Sequence, residues 1–187
     1  MLKSLPNIIT FGRLLAVPLA VYLILTGELR SAFLVFVAAG ISDALDGILA
    51  RVLNARSRLG GFLDPLADKA LLVSVYISLA NIGVLPLWLV IMVVFRDIMI
   101  VGGVLLLTAL DEPPQMEPLY ISKANTLAQI ALVALELAIN GFALESPVVF
   151  SFTLTDWTQA LVASTTALSG AAYVARFAPI FSGQNGH

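Results

Sequence analysis

The chain has 187 residues, of which 59% are hydrophobic and only 12% charged, and its formal net charge is −2. A soluble domain has nearer a quarter of its residues charged, so this composition excludes an ordinary soluble enzyme. The slight negative charge also argues against a nucleic-acid-binding protein. There is no cysteine, and the one histidine is His187, so disulfides, thiol nucleophiles, Ser-His-Asp triads and His- or Cys-based metal sites are excluded. Chemistry is left to carboxylates, arginines and lysines.

Six stretches of the chain are long and apolar enough to be transmembrane helices, which need about 20 such residues. They are residues 8–26, 32–53, 61–82, 85–110, 119–142 and 157–180. Turn residues, among them Gly27 and Gly83, separate them. We therefore predict an all-α integral membrane protein, with one domain of six transmembrane helices over residues 1–187. Trp88 and Trp157 fall near predicted helix ends, where aromatic belts form at the bilayer surface.

The basic residues predict the orientation. With the N-terminus in the cytoplasm, only Arg30 falls at an outer end, and seven basic residues fall at cytoplasmic ends: Lys3, Arg13, Arg51, Arg56, Arg58, Lys123 and Arg176. By the positive-inside rule both termini are then cytoplasmic. The short stretch before the first helix favours a bacterial inner membrane over an organellar precursor with a transit peptide.

Four aspartates interrupt the second and third apolar stretches. Asp43 and Asp46 are three residues apart, and Asp64 and Asp68 are four apart. These spacings place each pair on one helix face, and ionised groups inside membrane helices are costly and usually functional. A short connection makes the two helices antiparallel neighbours, so we expect the four carboxylates to converge. The alternative is that they are loop charges beside shorter helices.

Four close carboxylates repel one another unless cations neutralise them. The two basic residues in the motif region, Lys69 and Arg51, are too few to balance four negative charges. Oxygen ligands without His or Cys favour Mg²⁺, Mn²⁺ or Ca²⁺, and two metal ions bridged by aspartates suit phosphoryl-type chemistry. Gly47, Ala50 and Gly60 leave room for a ligand's sugar and phosphates against the backbone. Arg51 can hold a phosphate with two parallel hydrogen bonds.

These residues form the pattern Asp43-x2-Asp46-Gly47-x2-Ala50-Arg51-x8-Gly60-x3-Asp64-x3-Asp68. The pattern resembles the complete signature of the CDP-alcohol phosphotransferase family. The resemblance implies a six-helix membrane enzyme, usually a homodimer, that transfers a substituted phosphate from a CDP-linked donor to an alcohol and releases CMP. It implies that the aspartates bind the metals, with Mg²⁺ or Mn²⁺ expected as two ions. Asp68 would also deprotonate the acceptor hydroxyl.

The same resemblance implies the donor site. Arg51 would hold the diphosphate, and Gly47 and Gly60 would lie against the cytidine nucleotide. The stretch Pro6–Arg13 is similar to the family's N-terminal lead-in. There Asn7 and Thr10 would help to bind the nucleotide.

Two later stretches resemble one branch of the family. Arg96-Asp97 in the fourth stretch and Ser122–Gln129 in the fifth are similar to CMP-forming cardiolipin synthases. This implies CDP-diacylglycerol as donor and phosphatidylglycerol as acceptor. The sister phosphatidylglycerophosphate synthases, which use glycerol 3-phosphate, are the alternative. Outside the family, a divalent-cation channel or carrier would need acidic groups spread across the membrane, whereas these are clustered at one predicted depth.

The acceptor site is predicted less directly. We expect Arg96 to bind the acceptor phosphate, because an intramembrane charge is usually functional. The alternative is a buried ion pair with Asp97 or another aspartate, and because adjacent helix residues do not face each other, that pair would need a partner elsewhere. Lys123 either binds the same phosphate or extends its ammonium group to the membrane surface. Glu136 has no assigned role, with an interhelical hydrogen bond and a dimer contact as the two options.

Overall fold

A computed structural model of the chain describes the backbone of residues 5–52, 58–109 and 119–181. Side chains are described for residues 12, 14–43, 45, 69–105 and 119–178. The helices are α1 (Leu5–Leu25), α2 (Leu29–Val52), α3 (Arg58–Asn81), α4 (Leu87–Ala109), α5 (Tyr120–Gly141) and α6 (Leu154–Phe181). Two short strands, β1 (Val148–Val149) and β2 (Phe152–Thr153), precede α6.

Each of the six predicted stretches falls on one helix, and the predicted ends lie within three residues of the observed ones. The all-α expectation needs one correction, because β1 and β2 form an antiparallel hairpin between α5 and α6. In its register Val148 lies opposite Thr153 and Val149 opposite Phe152. Strands of two residues leave no alternating pattern long enough to read from a sequence.

The two glycines that mark predicted turns end their helices in the same way. Gly27 has φ 81° and Gly83 has φ 79°, a conformation that glycine adopts without steric cost. After α1 the N–H of Glu28 donates to the carbonyl of Leu23, and after α3 the N–H of Val84 donates to that of Leu79. Both are Schellman motifs, which satisfy the last free carbonyls of a helix.

The described residues group into two compact units. The first contains α1, α2, α3 and the last part of α5, within residues 1–85 and 133–146. In it α1 packs against both α2 and α3. Its buried apolar residues include Ala20, Ile24, Phe36, Val75, Tyr76 and Leu79, and the polar side chains of Ser78 and Glu136 are buried in the same unit. Alanines in this core let the helices approach closely, as small residues do in membrane bundles.

Gly141, the last residue of α5, lies against the first turn of α2 within this unit. A Cβ atom on Gly141 would lie 2.7 Å from the backbone nitrogen of Arg30. The ring of Phe142 then sits beneath the Arg30 guanidinium at 5.1 Å and edge-on to Phe33 at 5.6 Å. A residue with any side chain at position 141 would push these two backbones apart.

The second unit contains α4, the first part of α5, the hairpin and α6, within residues 86–132 and 147–187. Here α4 packs against α6. Arg96 meets Ser169, and the Phe177 ring occupies the space beside Gly103. Because both contacts advance in the same direction along the two helices, α4 and α6 run parallel.

The outer face of α4 is continuously apolar. Its exposed side chains recur every three or four residues and are Trp88, Ile91, Phe95, Ile98, Val101 and Leu105. The opposite face carries the buried residues Leu89, Val93 and Arg96. Such a helix has one face suited to lipid and one suited to protein.

Two helices in the described part of the chain are long and apolar enough to cross a membrane, α4 over Leu87–Leu105 and α5 over Tyr120–Gly141. Shorter apolar stretches of α1 and α3, Leu14–Leu25 and Lys69–Asn81, are also described. The 28 residues of α6 are long enough, but serines and threonines reduce its hydropathy. The six-span arrangement therefore stays a prediction.

Candidate active site

All four predicted metal ligands lie inside helices. Asp43 and Asp46 belong to α2, and Asp64 and Asp68 belong to α3. The alternative that they are loop charges is therefore wrong. Since i,i+3 and i,i+4 residues share a helix face, the two positions of each pair fall on one side of their helix.

The Asp43 side chain is partly buried. The other three aspartate side chains lie outside the described residues, as do those of the predicted donor site: Asn7, Thr10, Gly47, Ala50, Arg51 and Gly60. Among the side chains that are described, no three His, Cys, Asp or Glu residues form a metal-binding group. The convergence of the four carboxylates stays a prediction. The donor set itself, four carboxylates on two helices, suits Mg²⁺ or Mn²⁺.

Arg96 lies at the centre of a buried polar cluster in the second unit and is only 4% exposed. Its Nη1 donates to Asp97 Oδ1 at 2.7 Å, and its Nη2 donates to Ser122 Oγ at 2.6 Å. Nε and Nη2 both donate to Ser169 Oγ, the former at 3.2 Å. An arginine has five N–H donors, so these four bonds leave one N–H on Nη1.

The ion pair of Arg96 with Asp97 corrects the expectation that neighbours on a helix cannot meet. Both side chains are buried, with their charged atoms 2.7 Å apart. The long arginine side chain reaches the adjacent carboxylate. Apolar surroundings strengthen the attraction between the charges and make separation costly. The net charge of the Arg96–Asp97 pair is zero.

A second polar layer lies one helical turn further along α5. Asn125 is fully buried, and its Oδ1 accepts hydrogen bonds from Thr165 Oγ1 at 2.8 Å and Thr166 Oγ1 at 2.9 Å. Its Nδ2 has no hydrogen-bond partner. A buried amide donor without a partner is costly, which makes Asn125 a residue to test for ligand contact.

Sequence reasoning missed the α6 side of this cluster. Thr165, Thr166 and Ser169 recur at helical spacing on a single face, and that spacing was the available signal. In isolation it is not distinctive, since helical Ser and Thr commonly bond their own backbone. Thr165 Oγ1 also lies 2.8 Å from the Leu161 carbonyl.

Lys123 and Glu136 both contact side chains of their own helix, α5. The Lys123 side chain is exposed, and its Nζ lies 5.6 Å from the centre of the Tyr120 ring. A cation over a tyrosine near a helix start is typical of a membrane surface. Glu136 is buried, and its Oε2 accepts a hydrogen bond from Asn140 Nδ2 at 3.3 Å, one turn later in α5.

The family model described as CDP-alcohol phosphatidyltransferase matches residues 3–169. The chain belongs to this family. The match begins before α1 and reaches Ser169 on α6, so it includes the four aspartates and the whole Arg96 cluster.

Curated relatives give two kinds of name within the family. A probable CMP-forming cardiolipin synthase of Drosophila melanogaster is 36% identical over 152 residues, covering 73% of this chain and 47% of that protein. The human CMP-forming cardiolipin synthase is 36% identical, covering 72% of this chain and 50% of that protein. A chloroplastic CDP-diacylglycerol–glycerol-3-phosphate 3-phosphatidyltransferase of Oryza sativa subsp. japonica is 35% identical, covering 95% and 58%. The chain spans about half the length of the cardiolipin synthases it matches.

Proposed function

We propose that this protein is a CMP-forming phosphatidyltransferase that joins CDP-diacylglycerol to phosphatidylglycerol, giving cardiolipin and CMP. The observation that carries the proposal is the position of the four signature aspartates inside α2 and α3 of a chain that belongs to the family. The names of the insect and human relatives support phosphatidylglycerol as the acceptor.

The reaction needs one proton transfer and one phosphoryl transfer. Asp68 takes the proton from the acceptor hydroxyl, because an alcohol is a poor nucleophile until a base accepts that proton. The freed oxygen forms a bond to the phosphorus that carries diacylglycerol, and the bond from that phosphorus to the CMP oxygen breaks. CMP leaves with the electron pair of the broken bond.

Asp43, Asp46, Asp64 and Asp68 would hold the divalent cations, two Mg²⁺ or Mn²⁺ ions in our proposal. When bound, these ions neutralise the diphosphate and stabilise the departing CMP. Asn7, Thr10, Gly47, Ala50 and Gly60 surround the cytidine nucleotide in the same proposal. Arg51 holds the diphosphate through paired hydrogen bonds.

The acceptor site is proposed in the Arg96 cluster. Asp97 compensates the charge of Arg96, and one arginine N–H remains for a ligand. Asn125 Nδ2 is a second donor without a partner. A cluster of zero net charge with two free N–H donors, one from a guanidinium and one from an amide, suits the monoanionic phosphodiester and hydroxyls of phosphatidylglycerol better than a dianionic phosphate monoester. Lys123 would attract the anionic lipid from the surface.

We place the protein in the inner membrane with six transmembrane helices, both termini in the cytoplasm, and a second copy as its partner in a homodimer. The apolar outer face of α4 and the two helices long enough to cross a bilayer support this arrangement. Membership of the family argues against a cation channel or carrier.

The rice relative supports the alternative acceptor, glycerol 3-phosphate. Purified protein in detergent receives CDP-diacylglycerol with Mg²⁺ or Mn²⁺, and either acceptor is supplied separately while CMP and lipid products are measured. We expect cardiolipin with phosphatidylglycerol only. Turnover with glycerol 3-phosphate alone would replace the acceptor and keep the reaction type. Absence of CMP release with any alcohol would overturn the enzyme proposal.

A further inference from the structure

The hairpin between α5 and α6 contains a backbone conformation that its own residues do not favour. Phe150 and Ser151 join β1 to β2, with φ 51° and 68°. A two-residue turn with both φ values positive is the type I′ turn, which usually contains Asn-Gly. An aromatic residue in this conformation is a steric outlier. Outliers of this kind are kept where another interaction compensates them.

No such compensation comes from the described part of the chain, because the Phe150 side chain is 87% exposed. The strands on either side of Phe150 and Ser151 are held by contacts with Trp157. Trp157 Nε1 donates to the Val149 carbonyl at 3.1 Å, and the Phe152 ring packs edge-on against the Trp157 ring at 5.8 Å. The hairpin therefore presents Phe150 outward on a fixed base.

The start of α6 is capped from the same hairpin. Thr153 N–H and Oγ1–H donate to Asp156 Oδ2 at 2.8 and 2.6 Å, and Asp156 N–H lies 3.2 Å from Thr153 Oγ1. This reciprocal pattern is a capping box. Together with the strand pairing, it satisfies part of the backbone of this segment, which suits the headgroup region, where water remains available for the other groups, and not the hydrocarbon core.

The surface of this segment is largely apolar, and the charges nearest to it in the sequence are the exposed carboxylates of Glu145 and Asp156. Residues 147–155 contain no Asp, Glu, Lys or Arg. The exposed apolar side chains are Val148, Val149, Phe150, Phe152, Leu154 and Trp157, and the same surface continues along α6 through Leu161 and Leu168. A continuous apolar patch of this kind is unusual on a surface that faces water and indicates contact with a membrane or another protein.

Helix lengths place the hairpin at a membrane surface. Trp157 and Arg176 are separated along α6 by about 28 Å at the usual helical rise, close to the roughly 30 Å of a bilayer's hydrocarbon core. Because α4 runs parallel to α6, Trp88 lies toward the Trp157 end. One end of the unit thus carries two exposed tryptophans, and the other carries Arg176, as an aromatic belt and the positive-inside rule require.

We propose that residues 148–153, together with Trp157, form an interfacial anchor that inserts Phe150 among the lipid headgroups and upper acyl chains. The anchor lies on the extracytoplasmic face, at the end of the unit away from Arg176. Burial of the Phe150 ring in lipid offsets the strained turn. This inference does not depend on which alcohol the enzyme uses.

Tryptophan fluorescence in vesicles tests the anchor. The variant Trp88→Phe leaves Trp157 as the single tryptophan. It is reconstituted at low protein-to-lipid ratio in phosphatidylcholine–phosphatidylglycerol vesicles, some with lipids brominated high on the acyl chain. We expect strong quenching by brominated lipid and little by aqueous acrylamide.

Two variants in this background separate lipid contact from turn geometry. Phe150→Asn relieves the turn and removes the ring, so acrylamide quenching should rise about twofold and brominated-lipid quenching should fall, since apolar burial is lost. Ser151→Gly relieves the turn and keeps the ring, so both should stay as in the parent. CMP release should be unchanged in both variants, which checks that they fold.

Three results would overturn the proposal. Free access of acrylamide to Trp157 in vesicles would place the hairpin in water. Protection that appears only at high protein-to-lipid ratio would assign the surface to a second copy of the chain. Unchanged quenching in Phe150→Asn would remove Phe150 from the anchor. The membrane face of the anchor is tested separately with Glu145→Cys, because the chain has no other cysteine. A membrane-impermeant maleimide should label this cysteine only from outside the membrane. Labelling only from inside would contradict the extracytoplasmic position of the anchor.

Discussion

The four aspartates of α2 and α3 differ from the Arg96 cluster of the second unit in how their charge is balanced. The aspartates all have the same sign of charge, and Arg51 and Lys69 are the basic residues next to them in the motif. Arg96 has Asp97 beside it and serine hydroxyls on two other helices. A buried ion pair with satisfied hydrogen bonds needs no further partner, whereas like charges need a cation from outside. In our proposal the first region therefore binds the metal ions, whereas the second joins three helices and leaves two donors for the acceptor, one Arg96 N–H and Asn125 Nδ2.

Depth explains why Arg96 is paired. It lies eight residues beyond Trp88 on α4, about 12 Å at the helical rise. In the proposed membrane placement, with Trp88 near one surface, the guanidinium lies inside the hydrocarbon region, where an uncompensated charge is expensive. The adjacent carboxylate of Asp97 neutralises this charge.

The largest effect expected is on catalysis, from Asp68→Asn. Loss of the general base should lower kcat by about 10²- to 10⁴-fold, with little change in thermal stability because one carboxylate fewer relieves repulsion. CMP release and the unfolding temperature in detergent measure the two quantities. Glu145→Gln, at an exposed residue outside the motif, is the matched control and should keep full activity. Normal turnover of the Asp68 variant would contradict its role as the base.

The substitution Asp97→Asn is expected to lower stability, because Arg96 becomes a buried charge without its counterion. Breaking such a pair by removing one partner costs about 3–5 kcal/mol, so the unfolding temperature should drop sharply. The double variant Arg96→Met with Asp97→Leu should recover most of that stability, since neither charge is left. If the single variant is as stable as the parent, the pair does not compensate Arg96.

A smaller change is expected for Asn125→Ala, which removes the unpartnered amide donor. Loss of one hydrogen bond to the acceptor, about 1 kcal/mol, should raise the KM for phosphatidylglycerol several-fold and leave kcat nearly unchanged. The control is Thr126→Ala, because the Thr126 hydroxyl bonds the Ser122 carbonyl of its own helix at 3.2 Å.

An acceptor analogue lacking the middle headgroup hydroxyl extends the Asn125 test. If Asn125 contacts that hydroxyl, the parent should discriminate against the analogue and the variant should not. Loss of stability at unchanged KM would make Asn125 a packing residue only.

The smallest effect concerns an exposed carboxylate, Asp156. Hydrogen bonds from the Thr153 hydroxyl and then from the Thr153 backbone N–H lower the pKa of this group. A lowered pKa means that the carboxylate stabilises the hairpin–α6 junction above the ordinary aspartate value of about 3.9. That contribution is lost as pH falls through the folded-state pKa.

Trp157 fluorescence in the Trp88→Phe background follows this acid transition. The added substitution Asp156→Asn should remove it. A transition of equal size in both proteins would show that another group titrates.

The helices could be predicted from the sequence because they depend on local order, and the family could be predicted because the aspartate motif that resembles it lies within one short stretch of the chain. Apolar stretches of fixed length and glycines at Gly27 and Gly83 locate helices and their ends. The aspartate spacing needs only the period of a helix to define a face. None of these features requires knowledge of which helix lies beside which.

The Arg96 cluster and the hairpin were decided by tertiary structure. Ser122 and Ser169 are far apart in sequence and meet at one guanidinium because α5 and α6 pack beside α4. Phe150 occupies a position where local preference would choose asparagine or glycine, and the hairpin around it is formed by the strand pairing and by the contacts of Trp157 with Val149 and Phe152. Local sequence determines where a helix begins and ends and which of its faces carries charge. Packing between distant segments determines which side chains are buried and which partners they contact. Burial and partners together decide whether a charge is compensated within the protein or is left for a ligand.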